Sequence, residues 1–346
     1  MKVIHIESGL GNQMLSYCEY LAIKKCNPND SCYIETFIYD IPECNEVICQ
    51  WNGYELQSIF GIEAPNIKDI LSDSQLRAVS DYIRKTQFWL RNWNYPVYFT
   101  EAFKSVGIEL VNMRGNFEAP GEPRKTSIHV PSWQKRYWFL YLNFLRHKYL
   151  KKNAVQIKDY RKDLFICTSD NVFTGQKLLF KNIGSGIEEI EPLIRQTFIF
   201  PTITDDKNAT AMSAILSYNS VAIHARRGDM LGYNFDCYAG GYFKRSVSYI
   251  KDHVENPVFF IFCDEDSVDW VRNNSKVFNL NLKRDKVHFV DWNKKDDSWR
   301  DMQLMSACKH QIITRSSFGW WGAWLNTNPN KITCSPDIRI NTTHHF

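Results

Sequence analysis

This chain has no run of about 18 or more apolar residues, so its sequence predicts no membrane-spanning helix. It also lacks any Cys-x-x-Cys pair. Its ten cysteines (Cys18, Cys26, Cys32, Cys44, Cys49, Cys167, Cys237, Cys263, Cys308 and Cys334) are scattered, several of them inside apolar runs. That scatter argues against zinc and against a disulfide framework, and predicts reduced, packed thiols in a cytosolic protein. The opening Met1-Lys2-Val3-Ile4-His5-Ile6 meets Glu7 and glycine too soon for a signal peptide, and is expected to form the first strand of the fold. The sequons at Asn208, Asn273 and Asn341 carry little weight in that setting. An excess of one charge is missing too: 42 basic against 38 acidic residues leave +4, too mild for a dedicated polyanion binder, so no nucleic-acid partner is expected. No internal repeat is visible, and no Ser/His/Asp order or catalytic cysteine stands out among nine histidines.

What is present suits two α/β domains that share a cleft. At 346 residues the chain exceeds the usual single-domain size, and 44% hydrophobic with 23% charged residues is enough for a core in each half. Residues 2–6 read as a strand, Ser8-Gly9-Leu10-Gly11-Asn12 as a tight turn, and the sequence to about Lys25 as a helix with Met14, Cys18, Leu21 and Ala22 on one face. A strand over residues 32–38 completes a β-turn-α-β opening. Residues 118–131 are rich in Pro, Gly and charge, a surface excursion, and residues 133–152 read as a long aromatic helix with basic ends. Such a helix suits a core, the preferred reading, and also peripheral contact with an anionic membrane. Residues 187–200 read as helical up to Pro201, and the polar stretch 200–218 is the expected boundary, giving domains 1–205 and 206–346. In the second domain, strands are expected over 220–224, 257–263, 287–290, 311–314 and 331–335, alternating with helices near 241–253 and 296–309. Repeated strand–loop–helix steps of this length indicate a doubly wound, Rossmann-like unit.

Two runs concentrate chemistry. Val221-Ala222-Ile223-His224-Ala225-Arg226-Arg227-Gly228-Asp229 delivers a histidine, two arginines and a carboxylate from an apolar strand into a loop. Paired guanidinium groups suit a diphosphate, and an arginine on the β-phosphate gains strength as a nucleotide leaving group acquires charge. In this reading His224 orients a phosphate or ribose oxygen, and Asp229 either fixes Arg226 by a fork-to-fork pair or acts as a base. Ser316-Ser317-Phe318-Gly319-Trp320-Trp321-Gly322-Ala323-Trp324-Leu325 places two hydroxyls where a strand ends and a helix begins near Phe318. Ser316 or Ser317 then caps the helix, whose first amides face a phosphate. Trp320, Trp321 and Trp324 are expected to be core rather than a sugar platform.

Gly9-Leu10-Gly11-Asn12-Gln13-Met14 lacks the third glycine of a dinucleotide fingerprint, so its expected value lies in the amides of Asn12 and Gln13, offered to a sugar hydroxyl or a phosphate oxygen. Asp264-Glu265-Asp266 keeps three readings open: helix capping with solvated charge, a carboxylate for the guanine edge, or a divalent cation.

In this order, these residues resemble the α-1,2-fucosyltransferases of glycosyltransferase family eleven. The likeness lies in residues 9–14, His224-Ala225-Arg226-Arg227-Gly228-Asp229, residues 301–310 and residues 316–325, with a worn echo at Gly175-Gln176-Lys177. It spans roughly the first 60 residues and everything from about 172 onward, leaving 120–165 as an insertion. The resemblance implies a GT-B-like fold, two Rossmann-like domains facing a cleft. It implies GDP-β-L-fucose as donor, O2 of a terminal galactose in an oligosaccharide or lipid-linked glycan as acceptor, inversion at the fucose carbon, and no cofactor or metal. Carried over to this chain, Arg226 holds the β-phosphate with Arg227 beside it and His224 supports the nucleotide. Ser316, Ser317 and Phe318 complete the phosphate cradle, Asp264 reads guanine, and Asn12 meets fucose with Gly11 and Gln13 alongside. Asp229 is the first candidate base and Glu7 a weaker one. Rival readings are a fucosyltransferase of another linkage and a catalytically silent protein that keeps the sugar-nucleotide site.

Overall fold

The computed structural model describes residues 1–43, 52–90, 95–112, 171–175, 180–181 and 185–346. The chain divides into two compact units that meet in sequence at Ile199 and Phe200, with Lys181 belonging to the second.

The first unit is a four-stranded parallel sheet in the order β2-β1-β4-β3, with β1 at Lys2–His5, β2 at Cys32–Glu35, β3 at Val111–Asn112 and β4 at Val172–Thr174. Helix α1, Leu10–Cys26, returns the chain from β1 to β2, as the opening pattern predicts. It starts earlier than expected, because the turn ends at Gly9 and Gly11, Asn12 and Gln13 already lie in its first turn. The second strand is shorter than its apolar run: Phe37–Asp40 coils into a 3-10 turn that sends Phe37 and Ile38 into the core. Short helices follow at Leu56–Phe60 (α2), Asp73–Thr86 (α3), Tyr95–Lys104 (α4) and Glu191–Thr197 (α5). The core packs Val3, Phe37, Phe88, Phe99, Phe103 and Phe173 around the sheet.

The second unit opens with α6, Asp206–Ser217, inside the stretch that composition alone marks as a linker. The Asp205 carboxylate accepts from the Asn208 N–H at 2.9 Å, an N-cap that turns polar residues into a helix start. Six parallel strands follow: β5 (Asn219–Ala225), β6 (Pro257–Cys263), β7 (Lys286–Val290), β8 (His310–Ile312), β9 (Thr333–Ser335) and β10 (His344–His345). Helices α7 (Leu231–Ala239), α8 (Tyr242–His253), α9 (Val268–Asn273), α10 (Trp299–Ala307) and α11 (Ser317–Leu325) stand between them. Strand order is β10-β9-β8-β5-β6-β7. Renumbered within the unit, this is the Rossmann order 3-2-1-4-5-6, so the expected doubly wound α/β architecture is what forms. Strands β5 and β6 are apolar runs buried over almost their whole length, as fits the centre of a parallel sheet covered on both faces. Edge strand β7 instead alternates exposed and partly buried residues. Val221, Ile223, Phe243, Phe259, Ile261 and Phe278 form the core beneath.

Candidate functional site

In this strand order the chain reverses direction across the sheet between β5 and β8, and ligands of open α/β sheets bind outside the carboxyl ends of the strands at such a switch point. The two runs singled out above leave these two strands: Arg226 and Arg227 follow β5, and Ser316 follows β8 by way of Thr314 and Arg315. The loops are tied together. The Thr314 hydroxyl donates to the His224 carbonyl at 3.2 Å and accepts from the Arg226 N–H at 3.4 Å. Buried Asn234 donates to the Arg226 carbonyl at 3.4 Å and accepts from the Arg315 N–H at 2.8 Å. The Tyr238 hydroxyl donates to the same Arg226 carbonyl at 2.9 Å.

Arg226 is ion-paired with Asp264, and the other carboxylate oxygen of Asp264 accepts from the Arg227 N–H at 2.6 Å. Strand register explains the pairing: Ala225 lies opposite Cys263, so the next residues on β5 and β6 face each other. Asp264 thus meets Arg226 through one guanidinium nitrogen. Asp229 lies in the 3-10 turn Gly228–Met230, and its side chain is outside the described residues. Both oxygens of Asp264 are engaged by the arginine loop, and its side chain makes no cap bond to the turn that follows. Arg227 lies flat on Trp270, guanidinium carbon 3.5 Å from the ring centre, with Tyr238 at 5.0 Å. Among the described residues it has no carboxylate partner. Stacking fixes its plane while its N–H donors stay available to an anion.

His224 is buried, and burial first, with the nearby Arg226 charge second, lowers its pKa to about 3. It is a neutral imidazole packed against α11. A Cβ on Gly319 would meet its Nδ1 at 2.4 Å, so only glycine lets the helix approach this closely. That helix begins one residue earlier than expected, at Ser317 with Ser316 in the N-cap position, and the Ser316 side chain makes no cap hydrogen bond. The first backbone bond into the helix runs from the Trp320 N–H to the Ser316 carbonyl at 3.1 Å. The amides of Ser317, Phe318 and Gly319 have no acceptor among the described residues. Three open N–H groups at the positive end of a nine-residue helix, beside half-exposed Ser316 and Ser317, form an anion cradle. Trp320, Trp321 and Trp324 are core, as expected.

Sequence reasoning missed Arg315. It forms a bidentate pair with Asp236 at 2.5 and 2.8 Å and donates to the carbonyls of Tyr233 at 3.1 Å and Pro336 at 3.4 Å. An arginine directly ahead of a Ser-Ser helix start was the available signal.

In the first unit, the Gly-Leu-Gly residues serve a different purpose from the one expected. The N–H groups of Asn12 and Gln13 both donate to the Gly9 carbonyl, at 2.9 and 3.1 Å, so neither amide is offered to a ligand. The Gln13 side chain is fully buried, donating to the carbonyls of Ser8 and Gly53 at 2.9 and 2.8 Å and accepting from the Glu55 N–H at 2.9 Å. It is a scaffold residue rather than a donor contact. Gly11 is buried within the same turn of helix, while the Asn12 side chain is half-exposed. Glu7 is buried, 3.6 Å from His5, which also pairs with Glu35. Burial alone would lower the His5 pKa, but the Glu35 and Glu7 carboxylates more than offset it, and the pKa is raised.

Asp301, in the first turn of α10, accepts from the Asn293 side chain at 2.7 Å. Desolvation raises its pKa to about 8, with the Asn293 bond opposing and the charge of Asp291 adding to the rise. A carboxyl raised in the folded state binds its proton where the unfolded chain has lost it, so this group lowers stability progressively as pH climbs from about 4 to about 8. Asp301→Asn is expected to raise the melting temperature by a few degrees at pH 8 and hardly at all at pH 4. Calorimetry across that range checks it, and equal shifts at both ends would count against a protonated Asp301.

The described cysteines form no disulfide: Cys18, Cys32, Cys237, Cys308 and Cys334 are buried, Cys263 half-buried and Cys26 exposed. No described helix is long and apolar enough to cross a membrane, and the aromatic segment 133–152 lies outside the described residues.

Fold and site together define a Rossmann-type unit with arginines and unpaired helix amides on the strands that flank its switch point. Residues 205–337 match the model of Glycosyl transferase family 11. Similar proteins include an alpha-1,2-colitosyltransferase of Escherichia coli, 34% identical over 145 residues, which are 40% of this chain and 47% of that protein. The O-antigen biosynthesis glycosyltransferase WbnK of Escherichia coli is 33% identical over 34% of this chain and 38% of its own length. Galactoside alpha-(1,2)-fucosyltransferase 1 of Aotus azarae is 28% identical over 30% of this chain and 28% of its own. The matched stretch thus spans less than half of each relative.

Proposed function

We propose that this protein is an inverting galactoside α-1,2-fucosyltransferase using GDP-β-L-fucose. One observation carries the reading: a stacked arginine, an ion-paired arginine and three helix amides without a backbone acceptor follow the two strands between which a Rossmann sheet reverses direction. That set complements a diphosphate. Breaking the fucose C1–O bond sends its electron pair to the β-phosphate oxygen, and the donors aimed there bind the developing charge more tightly than the ground state. Galactose O2 attacks C1 from the opposite face, forming the new C–O bond and releasing its proton to a base or water. The relatives' α-1,2 names support the linkage, and the family 11 match over residues 205–337 supports the donor class. Turnover needs no metal in this reading, so chelator is expected to leave the rate within about twofold, and a collapse on chelation with rescue by a divalent cation would overturn that part.

Incubation with GDP-fucose and lactose, followed by linkage analysis of the product, tests the whole. Failure to release GDP in the presence of any galactoside would leave a silent nucleotide-binding protein. A second reading, α-1,2 transfer of colitose, is favoured by the relative at 34% identity, and competition between the two nucleotide sugars decides between them.

A further inference from the structure

Arg315 stands directly ahead of Ser316, the N-cap residue of α11, yet its guanidinium is already engaged within the protein. Its two terminal nitrogens donate to both oxygens of Asp236, at 2.5 and 2.8 Å, and to the carbonyls of Tyr233 and Pro336. Each of those nitrogens carries two hydrogens, so the four bonds use them all. The backbone is held as well: the Arg315 N–H donates to buried Asn234, which in turn donates to the Arg226 carbonyl. Tyr233, Asn234 and Asp236 belong to α7, and Pro336 directly follows β9. One residue therefore ties α7 and the end of β9 to the start of the helix whose Ser317, Phe318 and Gly319 amides lack a backbone acceptor. Through Asn234 the same residue reaches the arginine loop. A planar fork bound to two carboxylate oxygens fixes orientation as well as distance, which a single flexible contact does not. Its charge is largely spent: the cation that Arg315 brings beside these amides is offset by Asp236 one hydrogen bond away.

We propose that Arg315 and Asp236 are positioning residues, whose fork sets the α11 amides and the arginine loop for a diphosphate that neither side chain touches. This rests on the nucleotide-sugar reading of the same site. The sign of one substitution separates position from charge. Asp236→Asn keeps the shape of the side chain and frees the positive charge of Arg315. A contribution by charge would make GDP bind more tightly, whereas a positioning fork predicts binding weaker by about fivefold. Arg315→Gln is expected to weaken GDP to a similar degree, and the double variant no further than either, because all three lose the same fork. The two side chains are 29% and 31% exposed, so water replaces the lost partner and the variants fold. In transfer assays on the full chain, kcat should fall about as far while the lactose KM stays within about twofold, a split that general destabilisation does not produce. Tighter GDP binding in Asp236→Asn, additive losses in the double variant, or unchanged affinity in folded variants would each overturn the proposal. If wild type binds no GDP, the nucleotide-sugar reading fails by itself. The fork is then judged by the backbone amide resonances of Ser317, Phe318 and Gly319 in NMR: shifts common to both single variants support it, and resonances unmoved in either variant overturn it.

Discussion

Arg226→Ala is expected to lower turnover by about a hundredfold or more with GDP-fucose and acceptor saturating. A charge-assisted hydrogen bond to a phosphate is worth roughly 1.5–3 kcal/mol, and more when charge builds on the oxygen it holds. Loss of activity alone would not be decisive, because Arg226 also neutralises Asp264, whose side chain is only 6% exposed. Removing the guanidinium leaves that carboxylate with the Arg227 N–H, and stripping one partner from a buried pair typically costs about 3–5 kcal/mol. The double variant Arg226→Ala/Asp264→Asn separates the two effects. Its melting temperature should recover most of what the single variant loses, while its turnover stays low. Recovery of turnover together with stability would show that Arg226 supports the loop and nothing more.

Arg227 should respond differently. Its guanidinium is placed by Trp270 and Tyr238 rather than by a carboxylate. No buried charge is orphaned by its removal, and the defect should fall on nucleotide affinity with little change in stability.

How far these arrangements were legible in the sequence follows from their physics. Strand β6 was readable to the residue, because seven consecutive apolar or bordering residues bounded by proline and aspartate admit few alternatives. Helix α7 was not. Leu231-Gly232-Tyr233-Asn234-Phe235-Asp236 interleaves a glycine and two turn formers with its apolar residues, and local preference argues against a helix. It exists because Asn234 and Asp236 find partners in Arg226 and Arg315, contacts made across the switch point and invisible to any window of sequence. The two residues of β10 carry no period to detect. The arginine pair and the serine pair were found by chemistry. The pairing of Asp264 with the arginines was not legible, since it depends on the register that sets β5 against β6. The Asn12–Gln13 amides were misjudged for a simpler reason: the helix starts at Leu10, inside the turn read over residues 8–12, and a helix's first turn can be closed by its own N-cap carbonyl.

Gly319→Ala should be the most damaging single-methyl change in the nucleotide-binding unit. The added carbon would lie 2.4 Å from Nδ1 and 3.0 Å from Cγ of His224, well inside van der Waals contact. Alanine's helix preference over glycine, about 1 kcal/mol, opposes the damage. The clash wins, because the imidazole is buried, bounded by Thr314 and Phe318, and has no free direction in which to retreat. Overpacking of this kind costs about 1–3 kcal/mol. The strain should also reach the ligand site: either β5 shifts at His224, two residues from Arg226, or the open amides of α11 move away from the cradle. GDP affinity is expected to fall about tenfold, a loss of about 1.4 kcal/mol. A double-mutant cycle gives the test its sign. In His224→Ala the space for a methyl already exists, so Gly319→Ala should add almost nothing to that background in melting temperature or GDP affinity. Additive losses would mean that the glycine matters for a reason other than the imidazole it faces, and that α11 is seated by contacts elsewhere along its length.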